Sequence, residues 1–186
     1  MEIMVFGLLL WSLVHLVPSL APSVKKGWIS MLGENGYKIS FSAIVIFSLV
    51  MIVYGWRHSD PVVVYTLSID LKPVALILMV VAFVLFGAAQ YPTRIKTYVR
   101  HPQLTSIIVW SIANLLVNGD SRSIIMFGSM ALWAVLEIIA INRRSGEWEK
   151  AAPPAWPREI KGLVISLVIF AVVAFAHPYI AGVSLT

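Results

Sequence analysis

The sequence predicts an all-α fold, a polytopic membrane bundle of about six transmembrane helices, and three observations carry that expectation. Six strongly apolar runs occupy residues 3–20, 39–56, 73–89, 104–117, 123–141 and 162–176 of a chain of only 186. Hydrocarbon offers no partner for a bare backbone amide, so segments of this length and composition span as helices. Composition agrees, with 59% hydrophobic residues, 12% charged residues and a mean hydropathy of +0.87, far outside the soluble globular range. The third observation is charge placement. Lys25, Lys26, Lys38, Arg94, Lys96, Arg100, Arg143, Arg144, Lys150, Arg158 and Lys161 fall in the first, third and fifth connections. Only Arg57, Lys72 and Arg122 lie in the other two.

Each element follows from its own residues. The first run has Glu2 where a signal peptide carries positive charge, and no small-x-small cleavage site follows, so it reads as a retained helix. Pro18 and Pro22 are expected to stop it. The runs 39–56 and 123–141 reach the roughly 20 residues a span needs. The fourth run is short and carries Ser106, Ser111 and Asn114, so it can span only if its polar side faces other helices. Asn118-Gly119-Asp120 then reads as a tight turn. Before the sixth run, residues 143–161 mix charge with Trp148, Trp156, Pro153, Pro154 and Pro157. A tryptophan on each side of a proline-rich turn suits the headgroup layer, as an interfacial linker or as a lid over a cavity on that side.

By the positive-inside rule the basic residues make the odd connections cytoplasmic and put both termini on the periplasmic side of a multi-pass protein of the cell inner membrane. The net charge of +5 reports topology and anionic headgroups rather than nucleic acid, because no segment outside the spans is long enough to build a basic face. Zero cysteines exclude disulfides, thiolate metal sites, iron–sulfur clusters, a Cys nucleophile and covalent c-type haem attachment. With four histidines, hydrolytic triads and multinuclear metal sites are poor fits.

Ionisable residues inside membrane helices cost several kcal/mol unless something local offsets them, which makes each a candidate site. These are His15, Glu137 and, at helix ends, Arg100, His101 and His177. At about 1.5 Å per residue, His15, Arg100 with His101, and Glu137 are expected at a similar depth near the cytoplasmic ends of the first, fourth and fifth helices. Each also has an ordinary reading. His101 precedes Pro102 and suits a cap position, Arg100 suits an anchor, and Glu137 could pair with Arg143 or Arg144. His58, in the second connection, reads as solvated. A second group, Trp110, Ser111, Asn114 and Asn118, shares one face of the fourth helix by its spacing, with His177 at a similar depth on the opposite side of the bilayer.

His15-Leu16-Val17-Pro18-Ser19, Leu32-Gly33-Glu34-Asn35-Gly36-Tyr37, Arg100-His101-Pro102-Gln103 with Trp110, Asn118-Gly119-Asp120 and His177-Pro178-Tyr179 together resemble the NnrU family over nearly the whole chain. That resemblance implies a small polytopic protein associated with denitrification and nitric oxide metabolism. The family is in turn similar to the plastid 15-cis-zeta-carotene isomerase, a membrane enzyme that uses haem b. Arg100, His101, Pro102, Gln103 and Trp110 match that enzyme's motif, and His15 matches its first haem-ligating histidine. Its second ligand falls on Asn114 and its redox-switching cysteine on Ser111. The resemblance thus implies a b-type haem on His15, while depth offers His101 as its partner, since the two share a level and Asn114 lies about 20 Å further along the helix, with Arg100 against a propionate. A single imidazole is enough for a five-coordinate iron.

Three other readings stay open at this level. The first is a haem-dependent cis-trans isomerase acting on a polyene or similar small hydrophobic substrate. A methyltransferase of the isoprenylcysteine carboxyl methyltransferase type is the second, which His101-Pro102, Glu137, Arg143 and Arg144 resemble without a complete C-terminal donor-binding pattern. The third is a non-enzymatic assembly factor of respiratory enzymes.

Overall fold

The computed structural model describes residues 1–67, 69–150 and 152–181. Six α-helices follow one another: α1 (Glu2–Leu20), α2 (Pro22–Arg57), α3 (Lys72–Gln90), α4 (Pro102–Leu115), α5 (Ser121–Ser145) and α6 (Trp156–Ala181). A 3₁₀ turn, Arg94–Thr97, lies between α3 and α4. Among the described residues the only β pairing is a single bridge from Val63 to Asp120. The chain is a helical membrane bundle: α1, α2, α3, α5 and α6 are long and apolar enough to cross a bilayer. The fourth helix has 14 residues, about 21 Å of rise, against a hydrocarbon core of roughly 30 Å. Its polar side is turned inward as its composition requires, with Ser106 and Ser111 buried between neighbouring helices.

Helix ends follow proline more closely than polarity. Pro18 lies inside α1, and the break comes at Ala21, whose extended φ of −128° is the conformation that a following proline imposes. Pro22 then opens α2 at once, so the basic residues 25 and 26 lie on helix rather than in a loop. A bend at Gly33, with φ of 72° and ψ of 170°, separates this first part of α2 from the apolar part. Only glycine adopts that φ without a Cβ clash. The bend folds Trp28 back edge-on to Tyr37, with ring centroids 5.1 Å apart.

α1 packs on α2 and α5, α4 lies between α5 and α3, and α6 rests on α3. The packing order is thus α2, α1, α5, α4, α3, α6, and the terminal member α6 buries only 11% of its span against 28% for α1 and α5. The rest of each surface is apolar and faces outward, as lipid solvation demands. Met4, Leu8 and Ile52 form the core, with Trp11, Trp56, Ile125, Met126 and Met130 against it. Gly55 lets α1 and α2 meet there, since a Cβ at that position would lie 2.4 Å from the Met4 amide nitrogen.

Each end of the bundle is tied by its own connections. At the even-connection end, the Val64 and Tyr65 amides donate to Gly119 O at 2.9 and 3.0 Å, and the Ser121 amide to Val62 O at 2.8 Å. Asp120 caps α5, accepting from the Ser123 amide at 3.0 Å and its hydroxyl at 2.6 Å. Arg122 lies over Trp56, 4.1 Å from its centroid, and donates to Trp56 O. At the odd-connection end, Thr93 and the Arg94 amide both donate to Glu159, at 2.6 and 2.9 Å. Arg94 also stacks on Trp156 at 4.2 Å. The proline-rich stretch before α6 is thereby fastened to the segment after α3.

Candidate functional site

At the odd-connection end, a cavity of about 440 Å³ lies between α1, α3, α4 and α5. His15, Arg100, His101 and Glu137 all line it. The depth arithmetic that brought these four residues to one level thus describes one place in the molecule. Ala89, Leu104 and Ile141 give it apolar walls, and Trp133 an aromatic one.

His15 sits one turn from the end of α1. Its Nδ1 lies 2.8 Å from Trp11 O one turn back. A carbonyl only accepts, so Nδ1 carries the hydrogen and Nε2 keeps its lone pair. The ring is held edge-on by Phe41 and Trp133, each with centroids 5.4 Å away, and tilted against Trp11 at 4.2 Å. The carbonyl thus fixes the tautomer and, with the packed rings, the orientation of the imidazole.

Glu137 projects from α5, 8% exposed. Its Oε1 accepts from Ser19 Oγ on α1, one turn beyond His15. Its Oε2 is buried and has no hydrogen-bond partner. Neither Arg143 nor Arg144 pairs with it: the one ion pair among the described residues is Glu34 with Lys38, and Arg144 donates instead to Pro18 O at 2.6 Å. Glu137 is the only acid in the cavity wall, facing the cations of Lys96 and Arg100.

His101 is the N-cap of α4, with Pro102 in the first turn. Its ring also works in the cavity wall, with Nε2 2.9 Å from Asn142 Oδ1 on α5. Arg100 donates one Nη to Gly146 O at 2.9 Å and keeps its other guanidinium hydrogens. Lys96 donates to Ala89 O at 3.0 Å, closing the end of α3.

Trp110 and Asn114 lie further along α4 and do not line this cavity. Trp110 packs edge-on to Phe127 at 4.9 Å, and Asn114 donates to Trp110 O at 2.8 Å. Asn118 in turn donates to Asn114 O at 3.0 Å, so the polar stripe of α4 is satisfied along its own helix, except for the fully buried Ser111 Oγ. His177 is half-buried in α6, and the side chains of Pro178 and Tyr179 that follow it lie outside the described residues. His58 is exposed and bonds to Tyr54 O.

The wall residues that sequence reasoning missed are Trp133 and Lys96, with Ser19 just behind. Two carried a signal in their spacing. Trp133 is four residues before Glu137 and Ser19 four after His15, so each shares a helix face with a named candidate. Lys96 gave none, because only the 3₁₀ turn brings it back.

Among the described residues, no group of three or more His, Asp or Glu side chains could hold a bare metal ion. A porphyrin iron asks less of the protein, one or two axial imidazoles, cations for its propionates and an apolar enclosure, and those donor types are present here. A comparison with curated proteins and with solved structures finds no match. The family model for NnrU protein matches residues 3–185 of the 186, and the chain belongs to the NnrU family.

Proposed function

We propose that this protein holds a b-type haem in the cavity at the odd-connection end and serves nitric oxide or denitrification physiology in the bacterial inner membrane. The observation that carries the reading is His15: its Nδ1 hydrogen is committed to Trp11 O, which leaves Nε2 with a lone pair that would ligate iron, and His15 and His101 line one cavity. Arg100 and Lys96 supply cations of the kind that pair with propionates, Arg100 in bidentate fashion. His101 would stand beside the bound group in the same wall, its ring steadied by Asn142. Ala89, Leu104, Trp133 and Ile141 would give the macrocycle apolar surface to lie against.

When bound, a haem with one axial imidazole supplies an open coordination position suited to a small neutral ligand such as nitric oxide. The chain's own contribution would be to orient the His15 imidazole and to supply the Arg100 and Lys96 cations. Haemin titrated into purified protein should give a Soret band for the wild type, and His15→Ala should abolish it. His101→Ala should weaken binding by about 10- to 100-fold. Equal bands in the wild type and His15→Ala would end this reading.

A further inference from the structure

Two polar atoms in the cavity wall lack partners, and they are complementary. Trp133 Nε1 is a buried donor and Glu137 Oε2 a buried acceptor, on residues only 6% and 8% exposed. Both residues stand on α5 one turn apart and line the cavity, so their side chains start about 6 Å from each other on one face. An indole N–H can only donate and a carboxylate can only accept. Neighbouring groups are engaged elsewhere or do not reach: Ser19 occupies Oε1, His15 Nδ1 is on Trp11 O and His101 Nε2 is on Asn142, while the remaining hydrogens of Arg100 and Lys96 and the His15 Nε2 lone pair make no hydrogen bond to either atom. Leaving such a pair unmatched costs the desolvation of both groups with no hydrogen bond in return.

A hydroxyl group answers both atoms at once. It carries both functions that these atoms lack, an oxygen to accept from Trp133 Nε1 and a hydrogen to give to Glu137 Oε2. The geometry points to this α5 wall as a binding site for an apolar molecule bearing a phenolic hydroxyl, of the chemical class of a lipid-soluble hydroquinone. A phenol is favoured over an aliphatic alcohol because it is the stronger donor to a carboxylate. The ring then meets aromatic neighbours: Trp133 stands edge-on to His15 at 5.4 Å and to Trp11 at 5.9 Å. The apolar remainder of the ligand has Leu104 and Ile141 to lie against. This inference rests on the cavity being the functional site and does not depend on haem.

The test compares para-nonylphenol with its methyl ether, para-nonylanisole, by saturation-transfer NMR on the full chain in detergent without added haemin. The phenol should bind at least about tenfold more tightly than the ether, which cannot donate. Trp133→Phe keeps the ring and removes the donor, and should weaken the phenol about three- to tenfold and the ether too, since both oxygens accept from the indole. Glu137→Leu should remove most of the difference between the two probes. Equal binding of phenol and ether by the wild type overturns the proposal and needs no variant. So does a preference that survives Glu137→Leu in protein that still melts cooperatively. The haemin titration is read independently: a missing Soret band leaves the phenol comparison intact, and equal phenol and ether binding leaves the Soret result intact.

Discussion

At the scale of single residues, Asp120 shows how much one side chain can do at a helix start. Burial alone would push its carboxyl up, but hydrogen bonds from the Ser123 hydroxyl and amide, and the nearby Arg122 charge, outweigh it and hold it below the ordinary carboxylate value. A depressed native value means that the ionised cap stabilises the fold above the ordinary carboxylate range, about pH 4, and that this stabilisation is lost as pH falls through the native value. Asp120→Ala should cost about 1 kcal/mol at neutral pH. Thermal denaturation in detergent should show the gap between wild type and variant closing on acidification below about pH 4. A gap that persists unchanged into strong acid would assign the effect to something other than the ionised cap. The same residue-level logic separates what was legible in the candidate site from what was not. His15, Arg100, His101 and Glu137 stood out because an ionisable side chain in an apolar run is conspicuous, and rise per residue alone gives its depth. Trp133 and Ser19 were invisible as chemistry, since a tryptophan and a serine in a membrane helix have many ordinary uses. Their roles come from which rotational face α5 and α1 present to each other.

At the scale of elements, apolar runs located every helix, because lipid forces the backbone to satisfy itself within the segment. What they could not locate were the polar helical ends. α2 starts at Pro22 and not near residue 39, and α6 starts at Trp156 and not near 162. Those turns are held by proline geometry at Ala21, by the fold-back of Trp28 on Tyr37, and by Glu159 bonding to Thr93, none of which hydropathy records. Close approach of α1 and α2 was equally hidden, since Gly55 reads as a neutral residue until Met4 is seen against it. Gly55→Ala should force the helices apart at the core and lower stability by about 1–3 kcal/mol. A denaturant titration of purified protein checks this, and a variant as stable as the wild type would mean that the Met4 contact is easily relieved.

At the scale of the whole molecule, the two sets of connections make two chemically different ends. One end is tied by main-chain bonds around Gly119, while the other carries the Arg94, Trp156 and Glu159 clamp and the cavity. The basic residues concentrate at the cavity end, and on the positive-inside rule we propose that this end is the cytoplasmic one. The absence of native cysteine makes the orientation directly measurable. In intact cells, a membrane-impermeant maleimide should label Arg57→Cys and spare Lys150→Cys until the membrane is opened; the reverse pattern would invert the topology. In either orientation the cavity lies near one membrane surface, within reach of both lipid-dissolved and aqueous ligands.

The central claim is that imidazoles from separate helices meet in one cavity in order to hold a porphyrin. It is tested most directly by the absorption spectrum of the protein as isolated from cells supplied with a haem precursor, recorded oxidised and then reduced with dithionite. A Soret band that shifts on reduction, with sharpened visible bands of b type, is the predicted result. A featureless spectrum from folded protein, unchanged by added haemin, would contradict it.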